Sequence, residues 1–181
     1  MKNKRLKQLV FMALCCDLGI FAKKLIVPAA NILTDALHIP GGIGASFSIM
    51  FIVIAAAFVP WFGCAAVMGI IQSIIAVCMG TVGSMGALAP LGYIIPGIVI
   101  DCVMWILKRL HVGRKMCLTA ANAFASAAAS LVANAIVFRL RGIVLCLYIC
   151  VSLLSGTLSG LLAGLCAEKL APVFEREEGN A

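Results

Sequence analysis

Charge is what this chain lacks most. Only 12% of its 181 residues are Asp, Glu, Lys or Arg, against about 25% in an ordinary soluble domain. A water-facing surface cannot be built from half the usual supply. With 64% hydrophobic residues and a mean hydropathy of +1.15, the solvent must be mostly lipid. Aromatic residues make up only 7% and are nowhere interleaved with a basic stripe, so the net charge of +7 does not mark a nucleic-acid binder. The nine cysteines are odd in number, lie nearly all within apolar runs and form no Cys-x-x-Cys pair. They behave as small hydrophobes and exclude a disulfide framework or a zinc site. Phosphate loop, His-Glu-x-x-His pair and Gly-x-Ser-x-Gly elbow are all missing, and no repeated intramembrane acids suggest a proton relay. Nothing in the chain points to an enzyme, and no cofactor or metal is implied.

What is present is a succession of long apolar runs. Each crossing of a bilayer takes about 20 apolar residues, so the expected fold is an all-α membrane bundle of six helices forming a single transmembrane domain over 1–181. The helices are expected at roughly 6–27, 44–60, 62–80, 91–107, 116–138 and 143–167. Pro28 should stop the first, and Pro40-Gly41-Gly42 should break the polar stretch PAANILTDALHIPGGI into a loop or short re-entrant piece. The basic start MKNKRLK resembles a signal peptide, but no small-residue cleavage site follows at the right distance, so a retained helix is expected. Pro60-Trp61-Phe62-Gly63 divides two helices too long together for one crossing, which makes them a hairpin. The glycine-rich GTVGSMGALAP is a poor helix in lipid and should be covered by protein or line a cavity.

Basic residues orient the bundle. With six crossings, Lys2, Lys4, Arg5, Lys7, Lys108, Arg109, Arg114, Lys115, Lys169 and Arg176 share one side, and Lys23, Lys24, Arg139 and Arg141 the other. Both termini are therefore expected in the cytoplasm. His38 and His111 then fall on opposite sides and cannot share a metal. On the outer side gather Asn31, Asp35, His38, Tyr93, Asn134 and Tyr148, which with Gln72 are the candidate substrate-binding residues. Hydrogen-bonding groups beside an aromatic wall are what a small polar ring needs. Asp17 and Asp101 are the acids well inside helices. Each can be a functional group or can pair with a neighbour to hold the bundle together. Helix five is rich in alanine, and helix six carries Gly156, Gly160 and Gly164 on one face. Such a stripe serves either internal packing or docking of another membrane subunit.

The basic start leading into LVFMALCC, the outer loop through IPGGIGASF, the hairpin VPWFGCAAVMGIIQSIIAVCMG and the segment GTVGSMGALAPLGYIIPGIVID together resemble the substrate-binding S components of energy-coupling factor (ECF) vitamin importers. That resemblance spans nearly the whole chain. It implies a multi-pass protein of a prokaryotic cell membrane that captures a vitamin or vitamin precursor from outside, with thiamine or hydroxymethylpyrimidine as the nearest pattern. The implied partners are membrane lipid, a transmembrane coupling subunit and a pair of cytoplasmic ATPases of the ABC type. In that family alanines at Ala-x-x-x-Ala spacing on the first helix form the docking face. Here Ala13 is followed four residues later by Asp17. Cys15 and Gly19 supply a small-x-x-x-small pair instead, and the glycine stripe of helix six is its rival. The competing readings are a stand-alone transporter or channel, and a membrane-embedded enzyme.

Overall fold

The structure, a computed structural model, describes residues 2–36, 43–59, 61–80, 86 and 88–179, with side chains described over 5–29, 32, 44–59, 61–80, 86, 88–136 and 138–172. Six helices and no strand are found among them: α1 (Lys2–Ala36), α2 (Ile43–Phe58), α3 (Cys64–Cys78), α4 (Ala89–Arg109), α5 (Arg114–Leu131) and α6 (Ile143–Gly179). The chain leaves α5 through a wider π-wound segment, Val132–Val137.

Polarity is inverted relative to a soluble protein. Leu9, Leu14, Phe21, Ile74, Leu154 and Leu158 are among many large apolar side chains that face outward, while Ser46, Ser48, Gln72, Asn122, Ser152 and Ser159 are buried. Apolar surface on this scale is unsustainable in water. Among the described residues, α4, the stretch Arg114–Ile136 and the stretch Ile143–Pro172 are long and apolar enough to cross a membrane. The chain is an all-helical membrane protein.

Side-chain contacts show how the helices run. Phe11 meets Phe58 edge-on at 5.7 Å, whereas the Ser48 hydroxyl donates to the Gly19 carbonyl at 2.8 Å. Early α1 thus lies beside late α2, and the two are antiparallel. The same reasoning holds for α5 and α6, where Lys115 pairs with Glu168 at 2.8 Å and the Ser130 hydroxyl reaches the Tyr148 carbonyl at 3.3 Å. The most apolar helix, α2, occupies the middle and packs against all five others. One end of the bundle carries Phe58, Arg114 and the start of α3. At the far end lie the starts of α2, α4 and α6 and the end of α5.

Two helices outrun their expected limits. Pro28 lies inside α1, which continues to Ala36, and Pro172 lies inside α6, which continues to Gly179. A proline removes one hydrogen bond, here to the residue four before it, but neighbouring packing can carry the helix through. Val27 provides such packing: a methyl added to Gly44 would stand 2.7 Å from Val27 Cγ2. By contrast α2 and α3, with 16 and 15 residues, reach only about 24 and 22 Å, less than a hydrocarbon core of about 30 Å.

The internal seams use small residues and hydroxyls. At Gly156 and Gly160 an added methyl would come within 2.8 Å of Ser126 Cβ and of Thr119 Cα, and at Gly164 within 3.3 Å of Lys115 Cγ. The glycine stripe therefore faces α5 and seats it, which leaves it unavailable to an outside partner. Asn122 ties the same seam by donating to the Gly156 carbonyl at 2.9 Å and to Ser159 Oγ at 2.7 Å. The other candidate docking pair also turns inward. Cys15 is buried, and a methyl at Gly19 would lie 2.8 Å from Gln72 Nε2.

Candidate functional site

At the far end, a cavity of about 670 Å³ opens between the start of α2, the start of α4, the end of α5 and the start of α6, with Lys23 of α1 in its wall. Its size falls in the range of about 300–1,000 Å³ typical of small-molecule sites. Three of the residues singled out in the sequence, Tyr93, Asn134 and Tyr148, line it together. They come from three different helical segments, and only the antiparallel arrangement brings them to one end.

Asn134 is held by local geometry that periodicity does not reveal. It sits in the π-wound segment, where the Phe138 amide donates five residues back to Ala133 at 3.1 Å and the Leu140 amide donates to the Asn134 carbonyl at 2.8 Å. Such widened turns recur at functional sites. The Asn134 amide donates to the Ser130 carbonyl at 2.9 Å and to Ser130 Oγ at 3.1 Å, which fixes the side chain in the wall. Deeper in the cavity, Ser152 donates to the Ser126 carbonyl at 2.7 Å. The Ser126 hydroxyl, in a side chain 1% exposed, has no hydrogen-bond partner.

Lys23, Ser126, Ser130 and Ser152 were not identifiable as lining residues from the sequence. In the sequence Lys23 counts only among the basic residues of the outer side, and the serines carry no pattern that sets them apart. Lys23 folds over Tyr93, with Nζ 2.7 Å from the phenol oxygen and 4.0 Å from the ring centroid. Phe138 adds a second apolar surface, and Gly92, Ala45, Ala129 and Ala133 leave the space open.

The remaining candidates lie elsewhere. Gln72 is buried in the seam between α1 and α3, where its amide donates to the Cys16 carbonyl at 3.3 Å. It is a packing residue and does not line the cavity. Asn31 and Asp35 belong to the last turns of α1, and their side chains lie outside the described residues, as does His38 altogether. Asp101 does not face the cavity either. Its carboxylate accepts from the Ala65 amide at 3.3 Å and the Ala66 amide at 2.9 Å, so α4 caps the N-terminus of α3. Those amides have no partner within their own helix, which accounts for an acid at this depth without a substrate. Among the described residues, no cluster of His, Cys, Asp and Glu could hold a metal ion.

An all-helical membrane bundle with, at one end, a largely apolar, aromatic-walled cavity that carries a few polar groups is therefore the class that the fold and the site define. No protein-family model, curated protein or solved structure matches the chain.

Proposed function

We propose that this chain crosses the membrane six times with both termini in the cytoplasm, and that it is the substrate-capture S component of an ECF-type importer. In this reading it binds a vitamin-sized polar molecule from outside and passes it on only with a coupling subunit and an ATPase pair. The observation that carries the reading is the cavity that gathers Tyr93, Asn134 and Tyr148 at the end opposite the ten-residue basic majority. Positive charge collects on the cytoplasmic side, so the cavity opens outward. No turnover is required of such a protein, and it is not an enzyme.

The resemblance also asks for a docking face, and the packing of the bundle narrows the choice. Cys15, Gly19 and the glycine stripe are spent on internal seams. The outward side of α1 carries Leu6, Leu9, Val10, Ala13, Leu14, Asp17, Leu18 and Phe21, all exposed. Asp17 sits two residues from Gly19, at mid-depth, with no hydrogen-bond or ion-pair partner among the described residues. A carboxylate facing hydrocarbon is costly, and a basic or amide group on a coupling subunit would relieve that cost.

Purification under mild detergent from native membranes tests this directly. A second membrane subunit and an ATPase pair should accompany the chain. Asp17→Lys should strip them away while leaving the unfolding temperature of the isolated chain unchanged. Recovery of the wild-type chain alone would sink the importer reading, and an Asp17→Lys chain that keeps its partners would move the docking face elsewhere.

A further inference from the structure

The charge inside the cavity wall is of one sign. Lys23 is the only charged side chain among the described lining residues, and no carboxylate stands with it. Its ammonium has three donors, of which one is used on Tyr93. The adjacent lysine shows the alternative. Lys24 is exposed and reaches only Met79 Sδ, at 3.9 Å, as a side chain stretching for the headgroup region does. Lys23 instead turns inward over an aromatic ring and is only partly buried. Its ammonium keeps donors free for a charge-assisted hydrogen bond, whose acceptor an anion entering the cavity would supply.

We infer that the ligand of this cavity carries an acid group, held by Lys23. This rests on the capture reading and names the chemistry of the captured molecule. The acid meets the ammonium on the α1/α4 side. The uncharged body of the ligand lies along Tyr93, Phe138 and Tyr148, and its polar atoms meet the hydroxyls and amide of the α5/α6 wall. A cationic ligand such as thiamine finds no carboxylate among the described lining residues, so the nearest sequence pattern for the substrate is not the one that the wall favours.

The test uses the full chain, purified in detergent, and matched pairs of an acid with an uncharged analogue: nicotinate with nicotinamide, biotin with its amide, pantothenate with pantothenol. Thiamine serves as the cationic probe. Thermal shift and equilibrium dialysis should show one acid binding about ten- to a hundredfold more tightly than its analogue, the range a hydrogen bond to a charged group supplies. Lys23→Met and Lys23→Gln should abolish that preference, Lys23→Arg should keep it, and all three should still unfold cooperatively without ligand. Where one variant fails to fold, the other neutral variant carries the comparison. Equal or tighter binding of an uncharged analogue or of thiamine, or a preference that survives loss of the lysine, overturns the acid inference and leaves the capture reading standing. Failure of every compound at millimolar concentration counts against both.

Discussion

Replacing Asp101 with alanine is expected to lower the unfolding free energy by about 3 kcal/mol, because hydrogen bonds to a charged acceptor are worth about 1.5–3 kcal/mol each and the orphaned amides stay buried. The two bonds differ, at 2.9 Å to Ala66 and 3.3 Å to Ala65, so the sum should fall short of twice the upper figure. Asp101→Asn keeps a carbonyl acceptor for one amide and should cost about half as much. Equilibrium unfolding in mixed micelles measures both. The outcome separates a cap from a ligand group. A cap predicts weakened folding with unchanged affinity in the fraction that remains folded. An acid that handles substrate predicts the reverse, with stability kept and binding lost.

The second large effect concerns the seam that this cap closes. α3 and α4 approach so closely that a methyl at Gly69 would stand 2.5 Å from the Tyr93 carbonyl oxygen, and one at Gly97 2.5 Å from the Ala65 carbonyl oxygen. In both cases the obstacle is backbone, which cannot turn aside as a side chain can. Gly69→Ala and Gly97→Ala must push the helices apart, and each should cost toward the upper end of the range of about 1–3 kcal/mol for overpacking. Separating the helices also stretches the bonds from Asp101 to Ala65 and Ala66. Gly97→Ala combined with Asp101→Ala should therefore destabilise by less than the sum of the two. Gly69→Ala has a further consequence, since the carbonyl it strikes belongs to Tyr93 of the cavity wall. It should weaken ligand binding where Gly97→Ala, one seam-length deeper, does so less. Unfolding midpoints for the single and double variants, with affinity for the acid found in the paired screen, check all three expectations.

Much of the architecture is legible in the sequence because hydrophobic runs and basic residues are one-dimensional signals. The helical fold follows from composition. The turn at Trp61 follows from residues that end helices, whereas most of GTVGSMGALAP and all of Pro40-Gly41-Gly42 lie outside the described residues. Tyr93, Asn134 and Tyr148 could be placed at one end of the bundle by counting alternations. Other features depend on contacts between distant segments. Pro28 looks like a stop, yet α1 passes through it to Ala36, because neighbouring packing decides whether a helix continues beyond a proline. Lys23 and Lys24 are equivalent in sequence, and only the position of Tyr93, seventy residues later, separates their roles. The stripe Gly156, Gly160 and Gly164 has the same spacing whether it meets α5 or a foreign helix. The π-wound turn that carries Asn134 has no signature in hydrophobic periodicity at all. Asp101 is expensive wherever it lies in a membrane helix, and its reason becomes visible only when the start of α3 is found against it.

Reconstitution of the isolated chain into sealed liposomes, with the radiolabelled acid from the paired screen supplied outside, puts capture without transport to the test. Capture predicts saturable retention of one ligand per outward-facing chain, lost in Lys23→Met, with no accumulation in the lumen until the coupling subunit, the ATPase pair and ATP are added. Luminal accumulation by the chain alone would instead make it a transporter or channel in its own right.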